Sequence, residues 1–193
     1  MSMSANISTP ANDTLQILIR QRGKEDYSTS FAAMRAFTDA RTADTPDELW
    51  IVEHSPVFTL GLGADQSHVL APHDIPVIQT DRGGEVTFHG PGQLIGYPVI
   101  TLGETRGDLR NTIAFLRSLE DVIIEALKIH GVEAIRFEKF TGVWIDLGEE
   151  LARKDRYKKI AAIGSKVSRG RTKHGFALNI STDLSFFDKI IPC

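Results

Sequence analysis

Cysteine is almost absent from this sequence, which contains one, Cys193. A single cysteine excludes an internal disulfide framework and is typical of proteins from a reducing compartment, so we expect a cytoplasmic protein. The sequence also lacks any uninterrupted run of about eighteen apolar residues, the length that predicts a membrane-spanning helix. We therefore expect no membrane partner.

Patterns that bind metals, nucleotides or nucleic acids are missing as well. There is no His-x-x-x-His spacing and no cysteine pair, so no metal site is expected. Gly61-Leu62-Gly63 lacks the rest of a dinucleotide fingerprint, and no Walker-type loop is present, so we expect no cofactor. The 22 Lys and Arg residues are dispersed, and the densest run, residues 153–173, also holds acidic and apolar residues, which disfavours nucleic acid.

The composition that remains is that of one ordinary globular domain. The chain has 193 residues, of which 41% are hydrophobic and 24% charged. A chain of this length buries on the order of 70% of its unfolded surface. Residues 1–12 are rich in Ser, Asn, Thr and Ala and lack a basic segment followed by an apolar one. They predict a flexible N-terminal tail and not a signal peptide, so the folded domain is expected over residues 13–193.

Apolar periodicity divides the domain into two helices and many short strands. Helices are predicted over residues 27–42 and 108–130, where apolar residues recur at steps of three and four, and Gly131 ends the second. Pro98 within a predicted strand indicates an edge strand or a bulge. Strand-like runs cover residues 15–20, 49–54, 56–63, 75–80, 85–88, 93–100, 132–137, 142–147, 159–167 and 175–180. These elements predict a single α/β (α+β) domain with a mixed central β-sheet flanked by helices.

The stretch from Asp81 to Gln93 holds four glycines and one proline in thirteen residues. Arg82 and His89 frame a short alternating run, Glu85 to Phe88, which is typical of a half-buried strand. Glycines at this density allow the backbone to approach a ligand closely. A glycine-rich hairpin with a surface arginine is the alternative, but two adjacent glycine loops around one strand favour a lined pocket.

Two further motifs contain residue types that carry chemistry. Cys193 is the candidate sulfur nucleophile, although a free cysteine is often a small buried hydrophobe. A nucleophilic cysteine needs a lowered thiol pKa, which a nearby lysine can supply. Lys158 and Lys159 face opposite ways along a predicted strand, so one of them can point to the covered side of the sheet. Two solvated lysines at a strand start remain the alternative.

A third motif runs from Lys173 to Asn179. Gly175 and Ala177 are small residues on one face of a predicted strand, and they would leave room for a ligand slot. The alternative is a strand packed closely against a helix.

Together these motifs resemble those of the lipoyl(octanoyl) transferase family, the octanoyl-[acyl-carrier-protein]:protein N-octanoyltransferases of lipoate biosynthesis. The resemblance covers the chain from about Leu15 to Cys193. It implies a fold like that of biotin and lipoate protein ligases. It also implies transfer of octanoyl from octanoyl-acyl carrier protein to a lysine of a lipoyl domain, in 2-oxoacid dehydrogenases and the glycine cleavage H protein, as the first step of protein lipoylation. The motifs that carry it are Glu53-His54-Ser55-Pro56-Val57-Phe58-Thr59, the stretch 81–93, Lys159-Ile160-Ala161-Ala162-Ile163-Gly164, His174-Gly175-Phe176-Ala177-Leu178-Asn179 and Pro192-Cys193.

The resemblance also implies roles for individual residues. Cys193 would carry the acyl group as a thioester, and Lys159 would lower the pKa of the Cys193 thiol and relay protons. Chains of this family continue past the cysteine with a further helical stretch, so we expect the catalytic domain, residues 13–193, to be truncated at its C-terminus. The substrate-binding residues implied are Arg82, Gly83, Gly84, Glu85, Val86, Thr87, Phe88, His89, Ala162, Ile163, Gly164, Gly175, Phe176 and Ala177.

Two other functions fit parts of the same pattern. An ATP-dependent lipoate-protein ligase would use Lys159 to contact an acyl-adenylate, and Cys193 would be incidental. A non-catalytic module would bind lipoyl domains or acyl carrier protein without turnover. The pairing of Pro192-Cys193 with the His89-Gly90-Pro91-Gly92 run favours the transferase.

Overall fold

The computed structural model describes residues 17–42, 44–102 and 109–192, without the side chains of residues 109–111, 153 and 154. The predicted tail, residues 1–12, and Cys193 lie outside the described residues. The strands are β1 (Ile17–Glu25), β2 (Asp47–His54), β3 (Val57–Leu60), β4 (Val77–Gln79), β5 (Val86–His89), β6 (Gln93–Val99), β7 (Ile135–Phe137), β8 (Phe140–Asp146), β9 (Tyr157–Ser168) and β10 (Arg171–Asn179). The α-helices are α1 (Tyr27–Ala40), α2 (Leu109–Ile129) and the single turn α3 (Arg153–Arg156).

Seven of these strands form the central sheet, in the order β1-β2-β6-β10-β9-β8-β7. β1 and β2 are parallel, and the other neighbours are antiparallel, so the mixed sheet predicted from the sequence is confirmed. The remaining strands form a second sheet of three, in the order β4-β3-β5, which the sequence did not predict. Periodicity shows that a segment is extended, but it does not show which sheet the segment joins.

The two long helices cover opposite faces of the central sheet. Ala177 packs in the cluster beneath α1, and the next residue, Leu178, packs in the cluster beneath α2, as alternation along a strand requires. The α1 cluster consists of Met34, Trp50, Val52, Ile95, Tyr97, Val99 and Ala177. The buried part of the α2 cluster consists of Ile123, Leu127, Val143, Ala161 and Leu178.

Helix α2 buries a narrower stripe than its apolar pattern suggests. Ile113 is 58% exposed, whereas Ile123 and Leu127 are buried. The Glu120 carboxylate is fully buried, and it accepts hydrogen bonds from Arg117 Nη1 at 2.7 Å and from Gly142 N at 2.9 Å. A buried carboxylate is tolerated when it is paired in this way. Within residues 17–42, 44–102 and 109–192, no helix is both long and apolar enough to span a membrane.

Pro98 lies in an interior strand, so the predicted edge position is wrong. β6 pairs with β2 on one side and with β10 on the other. Thr172 N donates to Ile100 O at 2.9 Å, so the backbone of residues 98 and 100 faces β10. Pro98 has no N–H to offer, and His174 opposite adopts φ +59° and donates its N–H to Met34 Sδ at 2.9 Å. The pairing between β6 and β10 keeps the same register before and after Pro98, so the proline interrupts the hydrogen-bond ladder without forming a bulge.

The segment after β10 is fixed against the second sheet. A 3₁₀ turn (Leu184–Lys189) stacks Phe186 on Phe88, with ring centroids 4.4 Å apart and an interplanar angle of 9°. Ile190 is buried in the same cluster and pairs with Val69 in an antiparallel bridge. These contacts hold the chain up to Pro192 in a defined position.

Phe88 is therefore expected to be essential for stability. The Phe88→Ala variant should lower the free energy of unfolding by about 3–5 kcal/mol, because a fully buried aromatic ring leaves a cavity. Urea unfolding followed by circular dichroism measures the change. Phe140→Ala is the matched control, since Phe140 is 60% exposed, and it should cost less than about 1 kcal/mol. Equal losses in the two variants would contradict the assignment.

Candidate active site

A cavity of about 730 Å³ lies between the glycine stretch, the middle strands of the central sheet and the β7–β8 hairpin. It contains the predicted catalytic residue Lys159 and all but one of the predicted substrate-binding residues. Those that line it are Arg82, Gly83, Gly84, Glu85, Val86, Thr87, His89, Ala162, Ile163, Gly164, Gly175, Phe176 and Ala177. The structure thus brings the stretches 81–89, 159–164 and 175–177 to one site.

The loop formed by residues 82–84 is held between β3 and β9 by close backbone contacts. A Cβ on Gly61 would lie 2.0 Å from Gly84 O, and one on Gly164 would lie 3.0 Å from Gly83 O. Gly83 N donates to Ser165 O at 3.1 Å. Gly61, which the sequence offered only as a weak nucleotide motif, therefore has a packing role, because no larger residue fits beside the loop.

Arg82 is buried in the cavity wall, with 7% of its surface exposed. Its Nη2 donates to Thr59 O at 2.6 Å and to Thr59 Oγ1 at 3.0 Å, and its Nη1 donates to Gly83 O at 3.0 Å. Burial lowers the pKa of Arg82 from its ordinary value. The guanidinium therefore joins the glycine loop to β3 of the second sheet.

A chain of buried hydrogen bonds continues from Arg82 to β10. Because Arg82 donates to Thr59 Oγ1, the Thr59 hydroxyl is free to donate to His89 Nε2, 3.2 Å away. His89 Nδ1 then donates to Gln93 Oε1 at 2.8 Å, and Gln93 Nε2 donates to Asn179 Oδ1 at 2.9 Å. Burial lowers the pKa of His89 to about 3, so the imidazole is neutral at physiological pH.

A second buried histidine, His174, is paired with Asp81. Its Nε2 donates to Asp81 Oδ1 at 2.7 Å, while Lys173 Nζ lies 2.5 Å from Asp81 Oδ2. Burial lowers the pKa of His174 to about 4, although Asp81 opposes the shift. Burial would raise the pKa of Asp81, but the hydrogen bonds from Lys173 and His174 outweigh it and lower the pKa to about 2.

Three tyrosines line the cavity, Tyr27, Tyr97 and Tyr157, and none of them was predicted from the sequence; the first two belong to its buried wall. The ring of Tyr27 stacks on His89 with centroids 5.7 Å apart, and burial raises the Tyr27 pKa. The Tyr97 hydroxyl donates to His54 Nε2 at 2.8 Å, since His54 Nδ1 donates to the carbonyl of Glu25 at 2.9 Å. Burial also raises the pKa of Tyr97. In the sequence Tyr27 and Tyr97 look like ordinary core positions, and no local signal marks them.

Of the two adjacent lysines, the structure places Lys159 in the cavity. Its Nζ lies 4.8 Å from the centroid of the Trp144 ring. The side chain of Lys158 is 57% exposed, and its Nζ lies 3.6 Å from Asp155 Oδ1. The opposite orientation of the two side chains agrees with the prediction from strand alternation.

Phe88 is the one predicted substrate-binding residue that does not line the cavity. Its ring packs between Phe58 and Phe186 in the second sheet's cluster. The prediction for Phe88 is corrected accordingly. The sequence does not separate Phe88 from its neighbours, because the family resemblance implies substrate binding for every residue from Arg82 to His89.

The strand segment from Gly175 to Ala177 does not form the open ligand slot that its small residues predict. A Cβ on Gly175 would lie 2.1 Å from Gly96 O, so this glycine is small because β6 passes close by. Phe176 packs with the α2 cluster, and Ala177 is 4% exposed in the α1 cluster. Close packing, the alternative in the sequence, therefore accounts for much of this motif.

The described chain reaches the cavity again at Pro192, which lines it. Cys193, the predicted nucleophile, lies outside the described residues. Within the described ranges no group of three or more His, Cys, Asp and Glu side chains is arranged to hold a metal ion.

Solved structures of similar fold define the class to which this domain belongs. A bi-partite lipoate protein ligase from Thermoplasma acidophilum superposes with a TM-score of 0.72 and 18% sequence identity, and the match covers 92% of this chain and 68% of that one. At this identity the likeness shows the fold alone. The class is that of the lipoate protein ligase-like α/β domains, as the resemblance implied.

The chain belongs to the family of the lipoyl protein ligase A/B catalytic domain, whose model matches residues 26–193. The octanoyltransferase of Herminiimonas arsenicoxydans is 50% identical over 181 residues, which cover 91% of this chain and 80% of that protein. The octanoyltransferase of Janthinobacterium sp. (strain Marseille) is 51% identical over 183 residues, which cover 92% and 81% of the two chains. The predicted family is confirmed.

The low pKa of His89 predicts a specific loss of stability in mild acid. Between its folded pKa of about 3 and its ordinary value of about 6.5, only the unfolded chain takes up the proton. The free energy of unfolding should therefore fall by about 2 kcal/mol for this group between pH 7 and pH 5.

Urea unfolding of the His89→Gln variant at both pH values tests this expectation. The variant should lose about 2 kcal/mol less than the wild type between pH 7 and pH 5, whatever its stability at pH 7. His130→Gln, at an exposed position after α2, is the control and should behave like the wild type. If the free energy of unfolding of His89→Gln falls between pH 7 and pH 5 by as much as that of the wild type, the His89 imidazole is not the group responsible.

Proposed function

We propose that this protein is an octanoyltransferase that moves octanoyl from octanoyl-acyl carrier protein to a lysine of a lipoyl domain, the first step of protein lipoylation. The octanoyltransferases that are 50% and 51% identical to it support this activity. The observation that carries the proposal is that one cavity contains Lys159 and Pro192, the residue bonded to Cys193. We assign residues 13–193 to the catalytic domain and place the reaction in the cytoplasm, which the single cysteine supports.

In the proposed first step, the Cys193 thiolate attacks the carbonyl carbon of the donor thioester. A new carbon–sulfur bond forms, the donor's carbon–sulfur bond breaks, and the carrier leaves as a thiol after taking a proton. A thiolate is a strong nucleophile once a nearby cation lowers the thiol pKa. The Lys159 ammonium is the cation that we assign to this role, and it can supply the proton to the leaving sulfur.

In the proposed second step, the acceptor lysine attacks the octanoyl thioester on Cys193 as a neutral amine. An amide bond forms, the thioester bond breaks, and the amine loses a proton to Lys159, which has become neutral in the first step. The acceptors are the lipoyl domains of 2-oxoacid dehydrogenases and the glycine cleavage H protein. The amide is more stable than the thioester, so this step drives the reaction forward.

The backbone of the glycine loop limits which groups can stabilise the tetrahedral oxyanion. Preorganised N–H donors are the usual groups for this purpose. Gly83 N–H already donates to Ser165 O at 3.1 Å, so it is engaged in this conformation. We therefore assign oxyanion binding to two other backbone N–H groups at the cavity wall, those of Gly84 and Ile163. The N–H of Gly164 is excluded for the same reason as that of Gly83, because it faces Gly175 in the β9–β10 ladder.

Intact-mass measurement provides the direct test. The protein is incubated with octanoyl-acyl carrier protein and without a lipoyl domain. We expect one octanoyl adduct, located on Cys193 and removed by hydroxylamine, because the intermediate is a thioester. No ATP should be required. An absolute requirement for ATP would instead favour the ligase, and partner binding without any turnover would favour the non-catalytic module.

Variants of the two proposed catalytic residues complete this test. Cys193→Ser should form no hydroxylamine-sensitive adduct. Lys159→Met should slow acylation by orders of magnitude, whereas the matched control Lys158→Met should be nearly silent, because Lys158 points to solvent. Full activity in Cys193→Ser, or equal effects of the two lysine substitutions, would refute the assignment.

The cavity also predicts a determinant of acyl chain length. Ala162 is half-buried, lines the cavity and lies opposite Ala177 on β10, so a larger side chain here would fill space that an acyl chain needs. Each buried methylene contributes ~0.8 kcal/mol to the binding free energy of the acyl chain. A wall that leaves no room for two carbons therefore weakens octanoyl binding by about 1.6 kcal/mol. Ala162→Leu should therefore shift the preference between hexanoyl and octanoyl donors roughly tenfold toward hexanoyl.

Competition between the two donors, followed by mass spectrometry, measures this preference. Ala126→Leu on the exposed face of α2 is the control and should keep the wild-type preference. An unchanged preference in Ala162→Leu would exclude this wall as the end of the acyl site.

A further inference from the structure

An irregularity in β9 determines which side chain enters the cavity. Val143 lies opposite Ala161, but the next residue of β8, Trp144, lies opposite Lys159. Ile160 is therefore an extra residue of β9 with no partner on β8, which is the definition of a β-bulge. Bulges change the direction in which the following side chains point.

The bulge exchanges Ile160 and Lys159 between the two faces of the sheet. In a regular strand, residues two apart share a face, so Ile160 would join Ala162 at the cavity and Lys159 would face α2. The structure shows the reverse, because Ile160 packs with the α2 cluster and Lys159 lines the cavity together with Ala162. The position of Lys159 therefore depends on this one extra residue.

Gly142 on β8 accommodates the bulge. It has φ +131°, and a Cβ at this position would lie 2.8 Å from Ala161 O and 3.3 Å from Lys159 Cε. Its N–H donates to Glu120 Oε1 at 2.9 Å, and Arg117 Nη1 holds the other oxygen of that carboxylate at 2.7 Å. The backbone beside the bulge is thus anchored by a buried carboxylate of α2.

The bulge also places the face of the Trp144 ring against the Lys159 ammonium. Nζ lies 4.8 Å from the ring centroid, within the range of a cation–π interaction. Phe137 contacts the Trp144 ring at 5.5 Å and 74°, and Tyr157 supports Phe137 at 5.1 Å and 88°. The indole Nε1 is buried and has no hydrogen-bond partner among the described residues, so replacing Trp144 by Phe removes no observed hydrogen bond.

We propose that Trp144 is a positioning residue for Lys159, in that its ring face holds the ammonium at the cavity wall where the bulge delivers it. The inference rests on the proposed function only in assigning Lys159 to the transfer of protons. A lysine side chain has four flexible carbons and many rotamers. A braced aromatic face reduces that freedom and favours the charged amine, which is the form that the first step needs.

Competitive acetylation of the lysines by acetic anhydride tests the contact without any substrate. Tandem mass spectrometry gives the labelling of Lys159 relative to Lys158, which serves as the internal reference. In Trp144→Leu the ratio should rise about three- to tenfold, because the cation–π interaction that protects the amine is lost. Trp144→Phe should keep most of the wild-type ratio, since it retains an aromatic face.

Fluorinated tryptophan separates the electronic effect from the shape of the ring. Fluorination weakens the negative face of the indole, so it should lower the rate of octanoyl-adduct formation two- to fivefold, by the magnitude of a cation–π contact. The chain has two tryptophans, so the Trp144→Phe variant carries the label only at Trp50. Fluorination of the Trp144→Phe variant should leave its rate of octanoyl-adduct formation unchanged.

The outcomes distinguish the inference from the proposed function. An unchanged labelling ratio in Trp144→Leu overturns the inference, and so does an equal rise in Trp144→Leu and Trp144→Phe. A wild-type protein that forms no octanoyl adduct, but whose labelling ratio rises in Trp144→Leu alone, refutes the proposed function and supports the contact. An unchanged adduct rate in Trp144→Leu, in a protein that transfers octanoyl, also overturns the positioning role.

Discussion

The burial of the Arg82 guanidinium is the constraint on which the rest of the cavity depends. A buried cation is costly unless the protein replaces its hydration. Two carbonyl oxygens and the Thr59 hydroxyl accept hydrogen bonds from Nη1 and Nη2, whereas Nε has no hydrogen-bond partner among the described residues. This arrangement joins the glycine loop to the second sheet and determines the direction of the hydrogen bonds through His89. Burial is the main cause that keeps His89 and His174 neutral, and the Arg82 charge adds a smaller effect in the same direction.

Much of the fold and of the cavity wall could be predicted from the sequence, because both depend on local signals. The period of the long helix, Gly131 after it and the glycine loops around β5 each act within a few residues. Pairing between distant segments could not be predicted. The second sheet, the interior position of Pro98 and the burial of the Phe88 ring all depend on which strands meet. An alternating pattern shows two faces but does not identify the partner of either face.

The two adjacent lysines, Lys158 and Lys159, show one feature that local sequence predicts and one that depends on distant residues. Alternation predicts that the two side chains diverge, and they do. It does not predict which of them faces the cavity, because the bulge at Ile160 reverses the order of the side chains beyond it. That bulge needs Gly142 on the next strand and Glu120 on a helix, 18 and 40 residues from Ile160 in the sequence. Family resemblance identified Lys159 where the residue pattern left the choice open.

The anchoring of Gly142 by Glu120 has a consequence for protein engineering. A catalytic motif is often treated as a short segment that can be moved between scaffolds. In this fold the segment Lys159-Ile160-Ala161-Ala162 contains only part of the required information, since the carboxylate that fixes the neighbouring backbone comes from α2. Grafted onto a regular sheet, the same four residues would present isoleucine at the wall and turn the lysine toward the opposite layer. The transferable unit is therefore the helix–hairpin assembly, α2 with β8 and β9, and not the strand.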